Sequence, residues 1–304
     1  MTASTTSVRV QRRATRSKSG ETGGERRSPL AQTIVIVITV VALIYFLVPV
    51  YWLLVASTKT SSDLFGTPGF EFAKFNLFGN LAALTNYDHG IFWRWMLNSI
   101  IYSGLGSVLM TFVSVISGYA LAKYRFRGRS VVLAAVLGSM LVPGTVLAQP
   151  TYVLLTHLGL VNTYAGVLIP TLVYPFGVML AYVYAQTSIP DEILEAARLD
   201  GAGEFRAFFS IGVRLMSGGM VTILLFAFLG SWNNYLLPLL VLNDIDLVPV
   251  TVGLTGWFRQ SIDIPALQGL LVVGALVSVI PVVVVFLSLQ RYWRAGLSAG
   301  GVRF

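Results

Sequence analysis

The chain has no cysteine, two histidines and only 13 acidic residues among 304. Without cysteine there are no disulfides, no thiol catalysis and no cysteine metal site, and the redox compartment stays open. Charge is scarce: Asp, Glu, Lys and Arg make up 11% against 55% hydrophobic residues, and mean hydropathy is +0.75. That balance excludes an ordinary soluble globular domain. No Gly-rich loop ends in Gly-Lys-Ser/Thr, since Lys18, Lys59, Lys74 and Lys123 all lie in other settings. His89 and His157 stand apart from other ligand-type residues and read as solvated loop residues. No Ser/His/Asp grouping at one membrane depth suggests an intramembrane hydrolase. The sequence therefore offers no catalytic cluster and no metal-site grouping.

Long apolar runs are what the chain has in their place. Crossing a hydrocarbon core of roughly 30 Å takes about 20 residues, and six runs suffice: Thr33–Ala56, Met96–Leu121, Val131–Leu155, Tyr164–Gln186, Gly218–Leu242 and Ala266–Leu289. None contains Asp, Glu, Lys or Arg. The expected fold class is all-α, a polytopic membrane protein with six transmembrane helices. Residues 1–30 form a basic, apolar-poor tail expected to be disordered. Residues 31–290 form the six-span domain with a polar loop at about 187–217, and residues 291–304 a short tail.

The basic residues alternate between the polar segments. The tail before the first run has seven Lys and Arg, the loop Ala122–Ser130 four, the loop Thr187–Ser217 three and the C-terminal tail three. The intervening segments hold three (Lys59, Lys74, Arg94), none, and one (Arg259). The positive-inside rule places both termini and the 187–217 loop in the cytoplasm. An even number of spans requires the same. The net charge of +8 is thus met by topology and anionic lipid, with no need for nucleic acid.

The 187–217 loop is the most informative stretch. Ser188 is the expected N-cap of a short helix with Pro190 just inside it, and Asp191 and Glu192 at the positive end of its dipole. Glu195 follows, Ala196 and Ala197 leave a flat face for close approach of another protein, and Asp200-Gly201 ends the helix. A second segment repeats Phe205, Phe208, Phe209, Gly212 and Val213 on one face, with Arg206, Ser210 and Arg214 on the other. Periodicity alone admits a helix resting on lipid as readily as a docking element.

Prolines punctuate the spans: Pro49, Pro143-Gly144, Pro150, Pro170, Pro175, Pro238 and Pro281. Freed backbone carbonyls must then find partners in neighbouring helices or a watered cavity. Beside the fifth-run break lie Trp232, Asn233, Asn234 and Tyr235, able to stack on or hydrogen-bond a polyol and so to line a translocation path. The same residues would equally serve as helix-to-helix glue and an interfacial belt. An ion-coupled carrier normally places ionisable groups at membrane depth, and the empty spans argue against one. A membrane-bound enzyme or scaffold would need a catalytic cluster or large soluble face. Uphill transport by this chain would draw its energy from another polypeptide.

Glu195-Ala196-Ala197, Asp200-Gly201 and then Ile211 resemble the loop of inner-membrane permease subunits of binding-protein-dependent ABC importers. Further likeness to the carbohydrate branch is carried by Asn98-Ser99, Gly118-Tyr119-Ala120-Leu121-Ala122, Phe126-Arg127-Gly128, Pro143-Gly144 and Pro150. It continues through Gly159-Leu160-Val161-Asn162-Thr163, Trp232-Asn233, Gln290-Arg291-Tyr292, Gly296-Leu297 and Ala299-Gly300. The chain is similar to the smaller maltose-importer permease. One departure stands out: the family continues Ile-x-Leu-Pro where this chain reads Ile211-Gly212-Val213-Arg214. The resemblance implies a bacterial-type inner membrane and a sugar or sugar-like substrate. It also implies three partners: an unlike permease, a cytoplasmic ATPase dimer and an extracytoplasmic solute-binding protein. Glu195 would then be the ionic contact to the ATPase, Ala196 and Ala197 the close-approach surface, and Asp200-Gly201 the turn. An ABC permease for a non-sugar substrate is the neighbouring alternative.

Overall fold

A computed structural model describes residues 29–299. The expected tail before residue 29 and the ending from Gly300 lie outside the described residues. Every regular element among them is a helix. They divide into two units at Pro49–Val50. The first unit contains most of α1 (Pro29–Ser57), which runs on through Pro49.

In the second unit α2 (Ser61–Gly66) and α3 (Leu77–Asn86) precede a tight turn in which Asp88, His89 and Gly90 all have positive φ. From Ile91 the chain is helical to Lys123: α4 (Ile91–Ile100), one π turn at Ile101–Leu105, then α5 (Gly106–Lys123). The expected second span lies inside this rod. Ser103 Oγ donates to Ser99 O and Thr111 Oγ1 to Ser107 O, so buried hydroxyls are satisfied within the helix itself.

The third expected run is not one helix. It splits into α6 (Arg129–Met140) and α7 (Gly144–His157), which meet at 105°. Pro143 makes the break, whereas Pro150 sits within α7 without ending it. The fourth run bends by 41° between α8 (Tyr164–Thr171) and α9 (Pro175–Ser188). There Pro175 opens a helix and Pro170 lies inside one. Proline needs no donor of its own at a first turn, so Pro175 costs little where it stands.

After the short helix α10 (Asp191–Leu199), the chain forms α11 (Glu204–Ala207), a π turn at Phe208–Gly212, and α12 (Val213–Leu215). It then bends 77° into α13 (Ser217–Trp232). The bend falls at Met216 and forms with Arg214 where the resembling family has proline. The expected fifth span, Gly218–Leu242, also stops early: α13 ends at Trp232 and α14 (Leu236–Val241) follows a three-residue break. The described residues end with α15 (Val250–Gln260) and α16 (Ala266–Ala299), which runs through Pro281 and past the expected end at Leu289. By length and composition, three helices could cross a membrane alone, or six if each bent pair counts as one.

Two cores hold the second unit. One gathers Phe92, Trp95, Trp232, Trp257, Leu267 and Val273, and the other gathers Val115, Tyr119, Ala181, Ala185, Leu194, Phe208 and Ile223. The second core depends on close approach of α5 and α9. A Cβ at Gly118 would lie 2.5 Å from Ala181 Cβ and 2.6 Å from the Tyr182 nitrogen. Small residues allow such backbone contact in membrane bundles.

At the Asp246 end, α4 and the π turn after it clasp the irregular strap that links α14 to α15. Trp95 Nε1 donates to Ile245 O at 2.9 Å, Arg94 Nε and Asn98 Nδ2 to Asp246 O at 3.1 and 2.8 Å, Tyr102 OH to Leu247 O at 3.0 Å, and Asn98 Nδ2 to Val248 O at 3.0 Å. Ser99 Oγ accepts from Val250 N at 2.8 Å. From the other side, Asn162 Oδ1 accepts from the backbone nitrogens of Asn243 and Asp244. Side chains thus satisfy a segment that lacks secondary structure of its own.

Candidate functional site

The Glu195 end is built around α10. Ser188 is the last residue of α9 and not the cap of the next helix; Ile189 is extended, and Pro190 (φ −62°, ψ 137°) is the N-cap residue, with no side-chain cap bond. The expected Ser188 cap therefore fails because the preceding helix continues through it. Asp191 and Glu192 still occupy the first turn and Arg198 the last, each favourable to the helix dipole. Gly201 has φ +81°; its N–H bonds Arg198 O and Ala202 N–H bonds Ala197 O, a Schellman closure.

Leu194 roots α10 in the second core with 3% of its surface exposed. The opposite face looks outward: Glu195 and Ala196 are exposed and Ala197 is half-buried. Among the described residues Glu195 makes no hydrogen bond or ion pair. Asp200 and Gly201 are exposed beside it.

Both ends of α10 are gripped. Lys123 Nζ donates to Ile189 O at 2.5 Å and to Asp191 Oδ1 at 2.7 Å. At the other end Glu204 accepts from Arg198 Nε at 2.9 Å, Arg198 Nη2 at 3.3 Å and Tyr124 OH at 2.8 Å. The Lys123 hydrogen bond and charge hold the Asp191 carboxyl below its ordinary value. Glu204 is lowered in the same way by its bonds from Arg198 and Tyr124. Burial, reinforced by the Glu204 carboxylate, pushes Tyr124 up to about 12.

The second segment departs from its expected face. Phe205 is 84% exposed and Phe209 is exposed, while Ala207, Phe208, Gly212 and Met216 are buried. The π turn at Phe208–Gly212 adds a residue to the helical repeat and so rotates the buried stripe away from the 3.6-residue pattern.

The four residues expected along a path are separated. Trp232 is buried and stacks on Phe228 at 5.7 Å between centroids. Asn233 is exposed and returns its Nδ2 to Leu229 O at 2.8 Å, in its own helix. Tyr235 belongs to a different hollow, where its hydroxyl meets Arg259. Only Asn234 opens on a cavity of about 470 Å³, shared with Gly144, Thr145, Thr151, Pro170 and Thr171. Among the described residues its side-chain amide makes no hydrogen bond, nor do the Thr145 and Thr151 hydroxyls. Three helix breaks converge here, those after α6, α8 and α13. His89 lies in the positive-φ turn and His157 ends α7; among the described residues no group of three metal-type ligands forms.

Sequence reasoning missed the Lys123, Tyr124, Arg198 and Glu204 grips and the cavity threonines. Lys123 counted there only as one of the four basic residues of the loop Ala122–Ser130 and as a lysine outside any Gly-rich loop. The local pattern carried no sign of its partner 68 residues away.

Residues 110–298 match the family described as binding-protein-dependent transport system inner membrane component. The arabinooligosaccharides transport system permease protein AraQ of Bacillus subtilis is 34% identical over 264 residues, covering 85% of this chain and 91% of that protein. The diacetylchitobiose uptake system permease protein NgcG of Streptomyces coelicolor is 30% identical over 261 residues, covering 84% of each. In fold, the chain is similar to a chain of a bacterial ABC transporter involved in import of the acidic polysaccharide alginate. The TM-score is 0.75 at 23% identity, covering 88% of this chain and 98% of that one.

Proposed function

Because the chain belongs to the family of binding-protein-dependent transport system inner membrane components, we propose that it forms half of a sugar path and docks on an ATPase. It is a multi-pass inner-membrane permease of the carbohydrate ABC-importer type, a transport subunit and not an enzyme. Oligosaccharides are the substrate class, as the names of its relatives indicate for those proteins. The other half of the path comes from an unlike permease, and an extracytoplasmic binding protein delivers the solute. Both termini and the Glu195 end face the cytoplasm.

One observation carries the docking reading: α10 is closed at its C-terminus, rooted by Leu194, and presents beside two alanines a Glu195 carboxylate that has no partner among the described residues. A soluble protein surface with a basic group and a groove fits that face. Rocking of the membrane helices, driven by ATP-dependent closure of the ATPase dimer, would open the path alternately to each side. For the path, the Asn234 cavity suits weak, exchangeable contacts to hydroxyls through the Asn234 amide and the Thr145 and Thr151 hydroxyls, which have no partner among the described residues.

Glu195→Lys tests the docking. Reversal leaves a former partner facing like charge and costs about 2–5 kcal/mol in a partly desolvated contact. The variant should insert normally yet lose ATPase co-purification, uptake, or both, and Ala197→Trp should do likewise by steric exclusion. Wild-type ATPase retention and uptake in both variants would remove the docking role.

A further inference from the structure

We propose that Lys123 and Tyr124, adjacent residues at the end of the α4–α5 rod, form a positioning bracket that passes movement of α10 to that rod. This rests on the docking reading above. Lys123 takes the N-terminal end of α10 through Ile189 O and Asp191, and Tyr124 takes the C-terminal end through Glu204 and Arg198. Leu194 alone is an apolar root about which a helix can pivot. Two polar grips at opposite ends remove that rotation. They leave Glu195 and Ala196 free between them for a partner.

The exposure of the groups fits transmission better than fold stability. The Lys123 side chain is 6% exposed, whereas Asp191 is 73% exposed, and Arg198 and Glu204 are 42% and 47% exposed. Ion pairs this accessible contribute little to folding. They do fix direction, because the Arg198 guanidinium engages both Glu204 oxygens. The rod behind the bracket runs helically from Lys123 to Ile91, roughly 50 Å at 1.5 Å per residue, and ends at the clasp on the 243–250 strap. A displacement at α10 thus has a continuous route along the rod to the clasp on the strap.

The test uses the complete importer, with partner permease, ATPase and binding protein, in proteoliposomes. Oligosaccharide uptake and ATP hydrolysis are measured on one preparation of wild type, Arg198→Glu, Glu204→Arg and the double exchange. Each single variant should retain the ATPase yet transport about fivefold less solute per ATP, or lower still. The double exchange restores the pair in reverse and should recover most of the ratio. An unchanged ratio in the singles overturns the bracket, as does reduced yield with a normal per-complex ratio. Loss of the ATPase from the singles, or a double exchange that recovers nothing, overturns it too. If the charge variants fail to assemble, Tyr124→Phe deletes one hydrogen bond and must lower the same ratio; no change there rejects the bracket. Absence of the ATPase from the unaltered complex would instead defeat the docking reading itself, and the bracket with it.

Discussion

Asp191 and Glu204 are carboxylates kept ionised by named neighbours, and this sets how the Glu195 end responds to acid. Both are lowered in the folded chain, Asp191 first by its hydrogen bond from Lys123 and Glu204 first by that from Arg198. Unfolded values lie near 3.9 and 4.3. A carboxylate lowered on folding contributes its full stabilisation above the unfolded value and loses it as pH falls through the folded one. The grips on α10 should therefore be constant from neutral pH down to about 5 and release only below about 4. Hydrogen exchange of the α10 amides across that range measures it. Loosening between pH 8 and 6 would show that some other group holds the loop.

Helix breaks are the element-scale feature that matters most, and they were only half legible. Proline marked where breaks could occur, yet Pro49, Pro150, Pro170, Pro238 and Pro281 all lie inside helices, and the 77° bend at Met216 has no proline. Existence of the apolar runs and the Gly201 stop could be read because both are local. The fate of Asn233 and Asn234 could not: they are neighbours in sequence, but α13 ends between Trp232 and Asn233, and only Asn234 turns to the cavity. The π turn at Phe208–Gly212 likewise defeated a 3.6-residue count. From the cavity follows a contrast. Asn234→Leu should lower uptake per assembled complex through lost hydrogen bonds of about 0.5–1.5 kcal/mol each. Asn233→Leu loses only a bond to its own helix and should leave uptake near wild type. Equal effects of the two substitutions on uptake would remove the cavity from the path.

At the scale of the whole molecule, the distribution of Lys and Arg predicts the sidedness that geometry leaves open. The absence of native cysteine makes single-cysteine probes clean. Ser17→Cys, Ala202→Cys and Asp263→Cys sample the N-terminal tail, the α10 loop and the segment between α15 and α16. An impermeant thiol reagent on intact cells should label only the Asp263 probe, and labelling at Ser17 or Ala202 would invert the topology. The clasp between α4 and the 243–250 strap also bears on biosynthesis. Its partners are about 150 residues apart. At roughly 5–20 residues per second, a ribosome releases α4 some 8–30 s before it makes the strap. For that interval the side chains of Arg94, Trp95, Asn98, Ser99 and Tyr102 lack the strap's backbone groups that they bond in the finished protein. Water, lipid headgroups or the insertion machinery must occupy those hydrogen-bonding groups in the meantime. The nascent chain is therefore exposed to quality control through the whole interval in which α5 to α14 are made.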